Sequence, residues 1–224
     1  EDQLLDILGH VDIVEWREAM DGQVDELDIA FVEGSLSTPE CITRIHEIRR
    51  KSKVLVALGA CAVQGGVNAM KNTRPIEEVR EEVYGDQKYL FPTLPALPLS
   101  AVVKVDFAVR GCPMTQIEFL KVFTSLVMGK APIEPDSAVC VECKLKENEC
   151  VVDKGMICLG PITRMGCGAR CPTFGQYCNG CRGLVSAPNI EGMQEILVEK
   201  GLAMDEAWKR LQLYNANQLE GVQR

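Results

Sequence analysis

A chain of 224 residues with 46% hydrophobic residues and a formal net charge of −8 has room for one apolar-cored domain plus a cofactor-stapled appendage. The acidic balance, with no basic cluster, argues against a nucleic-acid partner, because neutralising phosphates needs a basic face. The most apolar run, 119–128, contains Lys121 and is about half of the roughly 20 residues a membrane-spanning helix requires. The sequence opens on Glu1 with no charged n-region or apolar h-region, so a targeting segment is absent or was lost with an upstream piece.

In chain order, residues 11–130 read as alternating strands and helices. Strands are expected at 11–16, 28–32, 54–58 and 103–109, where short β-branched runs end in turn residues. Helices are expected at 39–51, 62–70, 75–83 and 113–128, the last placing Phe119, Leu120, Phe123, Leu126 and Val127 on one face. That alternation predicts an α/β layer with a parallel sheet, in which ligand groups gather at the carboxyl ends of the strands. Glu33-Gly34-Ser35, Gly59-Ala60-Cys61 and Gly111-Cys112-Pro113 stand at those ends, so three loops are expected to converge. From Ala131 to Gly183 the chain is rich in Cys, Gly and Pro with little periodicity. A sparse core is expected there, with bound metal ordering the backbone. A helix capped by Asn189 and stopped by Gly201, then a second over 205–215, complete the pattern.

Cysteine is the residue that decides the chemistry. Of 11 cysteines, Cys41, Cys61 and Cys112 are scattered, and the others fall between Cys140 and Cys181. A disulfide framework suits small secreted domains with little core, whereas the first 130 residues are apolar enough to fold unaided, so metal ligation is the better account. The spacing is Cys140-x2-Cys143-x6-Cys150-x7-Cys158, then Cys167-x3-Cys171-x6-Cys178-x2-Cys181, two sets of four. Four thiolates hold an iron–sulfur cubane, and C-x2-C pairs grip neighbouring irons from one turn of chain. Four-cysteine zinc sites use similar pairs, and spacing leaves both contiguous and interleaved ligation open.

Cys61 and Cys112 each follow a strand and open an expected helix, where backbone N–H groups and the helix dipole lower a thiol's pKa and favour an anionic cluster. The competing reading is a pair of buried structural thiols. Cys41 reads as a plain buried thiol, and His10 and His46, without metal-ligand spacing, as packing or surface residues.

At this point the residues match a known family. Glu33-Gly34-Ser35, Gly59-Ala60-Cys61-Ala62-Val63-Gln64-Gly65-Gly66, Gly111-Cys112-Pro113, Cys158-Leu159-Gly160-Pro161-Ile162-Thr163 and Cys178-Asn179-Gly180-Cys181 resemble, in order and separation, the motifs of the small subunit of [NiFe] hydrogenases. The likeness is greatest to the cytoplasmic multi-subunit branch that couples hydrogen to NAD(P), a deazaflavin coenzyme, ferredoxin or heterodisulfide reduction. It implies a flavodoxin-like parallel-sheet domain over 1–130, a two-cluster [4Fe–4S] domain over 131–185 and a helical tail over 186–224.

The resemblance also implies three [4Fe–4S] clusters: a distal one on Cys140, Cys143, Cys150 and Cys158, a medial one on Cys167, Cys171, Cys178 and Cys181, and a proximal one that includes Cys61 and Cys112. Family members open with a strand ending in C-x2-C, ahead of a helix like residues 1–8. Neither cysteine is present here, and about 20 further N-terminal residues are expected from the family and a typical strand plus turn. H2 would be cleaved on a large subunit, with this chain relaying electrons to acceptor subunits carrying flavin or iron–sulfur clusters and contributing no catalytic residue itself.

Within that picture Arg164, Arg170 and Arg182 either stabilise reduced clusters or are ordinary surface arginines, the simpler reading. Glu33 reads as a capping or subunit-contact residue rather than a proton carrier. Two alternatives are the cluster subunit of a quinone-reducing respiratory complex, which should carry adjacent cysteines and no eight-cysteine extension, and a zinc-stapled interaction module.

Overall fold

The computed structural model describes residues 9–16, 19, 20, 22 and 24–219. Its first half is built on a parallel sheet in the order β1 (Leu27–Glu33), β2 (Ser52–Leu58) and β3 (Phe107–Val109). Glu33 pairs with Leu58, and Leu58 with Val109, so the three strands end together at one edge. Helices α1 (Pro39–Lys51), α2 (Gly59–Gln64) and α3 (Ile76–Tyr84) lie between strands, and α4 (Gln116–Val127) follows β3. The start of α1 is written in its sequence: the Thr38 hydroxyl accepts from the Cys41 N–H at 3.3 Å, and Pro39 takes the first turn. Arg49, Arg50 and Lys51 close the helix, where its dipole favours cations.

Strand β2 is the centre of the layer. Leu55 and Ala57 pack with Leu36, Ile45 and Leu99 on one face, while Val56 packs with Val109 and Val122 on the other. Successive strand side chains point to opposite faces, so this split means that both faces are covered. The α/β layer is therefore the expected one.

Two expected strands differ. Residues 11–15 form no strand, and Trp16 makes only an isolated bridge to Met20, because the chain turns back on itself there. Of 103–109 only the last three residues join the sheet. Asp106 sets that limit: its N–H donates to the Leu55 carbonyl and its carboxylate accepts from the Leu55 N–H, both at 2.9 Å, while Arg49 holds the same carboxylate at 2.5 Å. The helix expected over residues 1–8 lies outside the described residues.

The expectation of a sparse core in the second half is overturned. Val139, Val151, Val152, Ile157, Leu159, Ile162 and Leu184 bury against Met193 and Leu197 of α7 (Ile190–Glu199) and Trp208 and Leu211 of α8 (Met204–Asn215). These loop residues show no local period because the surface they pack on comes from the tail. Two short helices, α5 (Val139–Leu145) and α6 (Arg170–Thr173), interrupt the loops unannounced by the sequence pattern. Helix α8 also fastens to the first half: Gln64 Nε2 donates to the Tyr214 carbonyl at 3.2 Å, and just past the helix Asn217 Nδ2 donates to the Ala96 carbonyl at 2.9 Å. Among the described residues no helix is long and apolar enough to cross a membrane.

Leu211 is fully buried, so Leu211→Ala is expected to cost about 2–5 kcal/mol, whereas Leu90→Ala, at 71% exposure, stays within about 0.5 kcal/mol. Equal denaturation midpoints for the two variants would contradict this core. Burial pushes the Asp106 carboxyl up, but the Leu55 N–H and the Arg49 guanidinium outweigh it and hold the group at about 2. Its stabilisation is complete above about pH 4, the unfolded value, and is lost as pH falls through about 2. Asp106→Asn should flatten the stability profile between those limits, and an unchanged slope would refute the linkage.

Candidate metal centre

The three strand-end loops do converge. The Ala60 N–H donates to the Gly111 carbonyl at 2.9 Å, and Cys61 lies beside both Cys112 and Glu33. Gly66, at φ +55°, closes over Cys61 so tightly that a Cβ there would stand 2.9 Å from its sulfur, which restricts the position to glycine. The expected lowering of the Cys61 thiol does not occur. Burial and the neighbouring Cys112 and Glu33 push it up, and α2 is a helix of only six residues. Cys112 is exposed and does not open a helix, since α4 begins at Gln116 with Thr115 as its cap.

The first four-cysteine set is assembled from α5 and the loop after it. Cys140 and Cys143 share one turn of α5, Cys150 is exposed and Cys158 is buried. Burial, with Cys158, Cys143 and Cys150 as negative neighbours, pushes the Cys140 thiol up to about 11. Cys158 is likewise pushed up, first by burial and further by Cys150 and Cys143, so the four face one another. A Cβ on Gly160 would stand 3.3 Å from the Cys140 sulfur and 3.4 Å from that of Cys158. The missing side chain keeps the space between them open.

The second set is also contiguous in sequence. Cys181 has Cys167 and Cys171 as neighbours, and Cys171 has Cys167. Cys178 faces Cys181 and, across the set boundary, Cys158, whose sulfur accepts its N–H at 3.3 Å. On the other side the Cys112 N–H hydrogen-bonds the Cys181 sulfur. Three sulfur groups are thus neighbours in order, Cys61 and Cys112 first, then the set ending at Cys181, then the set ending at Cys158.

Several polar residues around these sulfurs carry no sequence signal. Glu142, between Cys140 and Cys143, accepts from the N–H groups of Gly166 at 3.0 Å and Ala169 at 3.2 Å, on either side of Cys167. One carboxylate thereby ties the first set to the second. Tyr214, from the tail helix, hydrogen-bonds the Cys112 thiol and lies beside Cys181; burial and these sulfurs push its phenol up to about 12. The simpler reading of the arginines holds for Arg170, which is exposed, and fails for the other two. Arg182 is 1% exposed and Arg164 is mostly buried against Asp136. Cys41 is half-buried, with the Thr38 hydroxyl 3.2 Å from its sulfur. His10 and His46 are on the surface, and Glu33 is exposed near Cys61.

The donors fit an iron–sulfur body. All eleven cysteines are free of disulfides, and each buried thiol resists ionisation until a cation takes the place of its proton. A zinc site draws four sulfurs to about 2.3 Å from one point. An all-sulfur set of four, with the space beside Cys140 and Cys158 kept open by Gly160, suits a cubane.

A parallel α/β layer that ends in cysteine loops, joined to a second sulfur-lined half, is the architecture of an iron–sulfur subunit. The chain belongs to the family described as NADH ubiquinone oxidoreductase, 20 Kd subunit, whose model matches residues 1–126. Over a longer stretch it is 40% identical across 201 residues to sulfhydrogenase 2 subunit delta of Pyrococcus furiosus, covering 88% of this chain and 84% of that one. It is 32% identical across 213 residues to a subunit of the F420-non-reducing hydrogenase vhu of Methanococcus voltae, covering 81% and 74%. A crystal structure of an NAD+-reducing [NiFe]-hydrogenase superposes with a TM-score of 0.54 at 29% identity, over 60% of this chain and 83% of that one. The resemblance to hydrogenase small subunits is therefore borne out, and the chain is a subunit of a hydrogenase-type oxidoreductase. The family model ends before Cys140, so the layer shared with respiratory-complex subunits carries none of the eight-cysteine half.

Gly160→Ala places a methyl carbon against the sulfurs of Cys140 and Cys158 and is expected to lower the iron and sulfide retained per chain. Wild-type iron and sulfide in that variant, by elemental and acid-labile sulfide assay, would show that the space is not needed.

Proposed function

We propose that this chain is the electron relay of a [NiFe] hydrogenase, working between the nickel–iron site of a large subunit and an acceptor subunit that carries flavin or iron–sulfur clusters. The observation that carries this reading is the succession of neighbouring sulfur groups from Cys61 and Cys112, through the Cys112 N–H on Cys181, to the Cys178 N–H on Cys158 at 3.3 Å. In this reading Cys140, Cys143, Cys150 and Cys158 hold a distal cluster, and Cys167, Cys171, Cys178 and Cys181 a medial one. Cys61 and Cys112 supply two donors of a proximal cluster, which needs two more. Bound [4Fe–4S] clusters supply one-electron redox chemistry.

The chain's own residues position that chemistry. The Cys178 N–H stabilises anionic sulfur at Cys158, the Cys112 N–H does the same at Cys181, and the Glu142 carboxylate fixes the turn that presents Cys167. Tail helix α8 brings Tyr214 against Cys112, where its phenol hydrogen-bonds the sulfur. The reading divides the chain at residues 130 and 185 and places it in the cytoplasm, where eleven free thiols persist in a reducing medium.

Analysis of the anaerobically purified complex tests the proposal. Three clusters correspond to about twelve irons with matching sulfide per chain and to paramagnetic signals on reduction. A colourless protein holding zinc and no sulfide overturns it.

A further inference from the structure

Arg182 is buried between two cysteine-bearing segments and is held from every side. Its Nη1 and Nη2 each bind a carboxylate oxygen of Glu118 on α4 at 2.6 Å. Nε donates to the Met165 carbonyl at 2.9 Å and the Arg164 carbonyl at 3.2 Å, and Nη1 also donates to the Arg110 carbonyl at 2.8 Å. The guanidinium packs against Gly166, where a Cβ would stand 2.3 Å from Nη2. Gly166 precedes Cys167 and Arg182 follows Cys181, so one fixed positive charge sits a single residue from a ligand on each segment. Neighbouring Arg110 and Arg164 are balanced by Glu134 and Asp136.

Stability alone is a weak account of such a pair, since apolar groups of similar shape often match a buried ion pair. We infer that the Arg182 guanidinium, with Glu118 as its counterweight, sets the reduction potential of the cluster site formed by Cys167, Cys171, Cys178 and Cys181. The inference rests on the cluster reading above. One-electron reduction adds a negative charge to the site; a buried cation beside it stabilises the reduced form and the Glu118 carboxylate opposes that effect. Both residues are positioning groups and touch no substrate.

The two charges make predictions of opposite sign. Redox titration of the intact hydrogenase, followed by paramagnetic resonance, reads the midpoint of the signal that disappears in Cys171→Ala. Arg182→Gln is expected to lower that midpoint and Glu118→Gln to raise it, each changing the reduced-to-oxidised ratio at fixed potential by about tenfold or more. Arg182→Lys keeps the charge and should stay near wild type, although the bidentate pairing is lost. Shifts of the same sign in the two glutamine variants, or no shift in either, overturn the inference and leave the relay intact. Should Arg182→Gln fail to assemble, Glu118→Gln against Arg182→Lys decides the matter. A wild-type complex without any cluster signal overturns the relay reading and this inference together.

Discussion

Bringing many sulfur donors into a protein interior is electrostatically costly, and the architecture of this chain follows from meeting that cost. Each thiol loses hydration, and each ionised neighbour raises the cost for the next. Cys140, Cys158, Cys171, Cys178 and Cys181 are all pushed up, burial first and other cysteines after it. Sulfurs brought together in this way would be held by a bound iron–sulfur cluster, whose cations would offset their mutual repulsion. The backbone contributes by aiming N–H groups of Cys112 and Cys178 at sulfurs of adjacent groups.

Sulfur ligation is not the sole support of that half. The tail helices α7 and α8 bring Met193, Leu197, Trp208 and Leu211 onto the apolar residues of the cysteine-bearing loops, so a hydrophobic core lies beneath the donors. Helix α8 joins the two halves as well, through Gln64 and Asn215 on one side and Tyr214 near Cys112 on the other. The loops are thereby fixed from below and from the side, as the proposed relay requires.

Charge is distributed with the same economy. Arg182 and Glu118 clamp the strand-end layer to the segment between Arg164 and Met165, and Glu142 clamps the first cysteine set to the second. These contacts cross the boundaries between sulfur groups. The polar network and the proposed electron path therefore follow the same route.

The sequence by itself determined the α/β layer, the loops that meet at its edge and the eight-cysteine half, because strand alternation, the Thr38-Pro39 and Asn189 caps and C-x2-C spacing are local signals. It misplaced a strand at 11–16 and overextended the one ending at Val109, where Asp106 and a turn decide the outcome through partners distant in sequence. It gave no role to Glu142, Tyr214 or Glu118, and read Arg182 either as a cluster-stabilising residue or as a surface one, without its partner. Only the tertiary structure decided these matters, because each depends on side chains from far-apart segments meeting at one point, and a single carboxylate or guanidinium in the sequence carries no mark of the partner that will bury it.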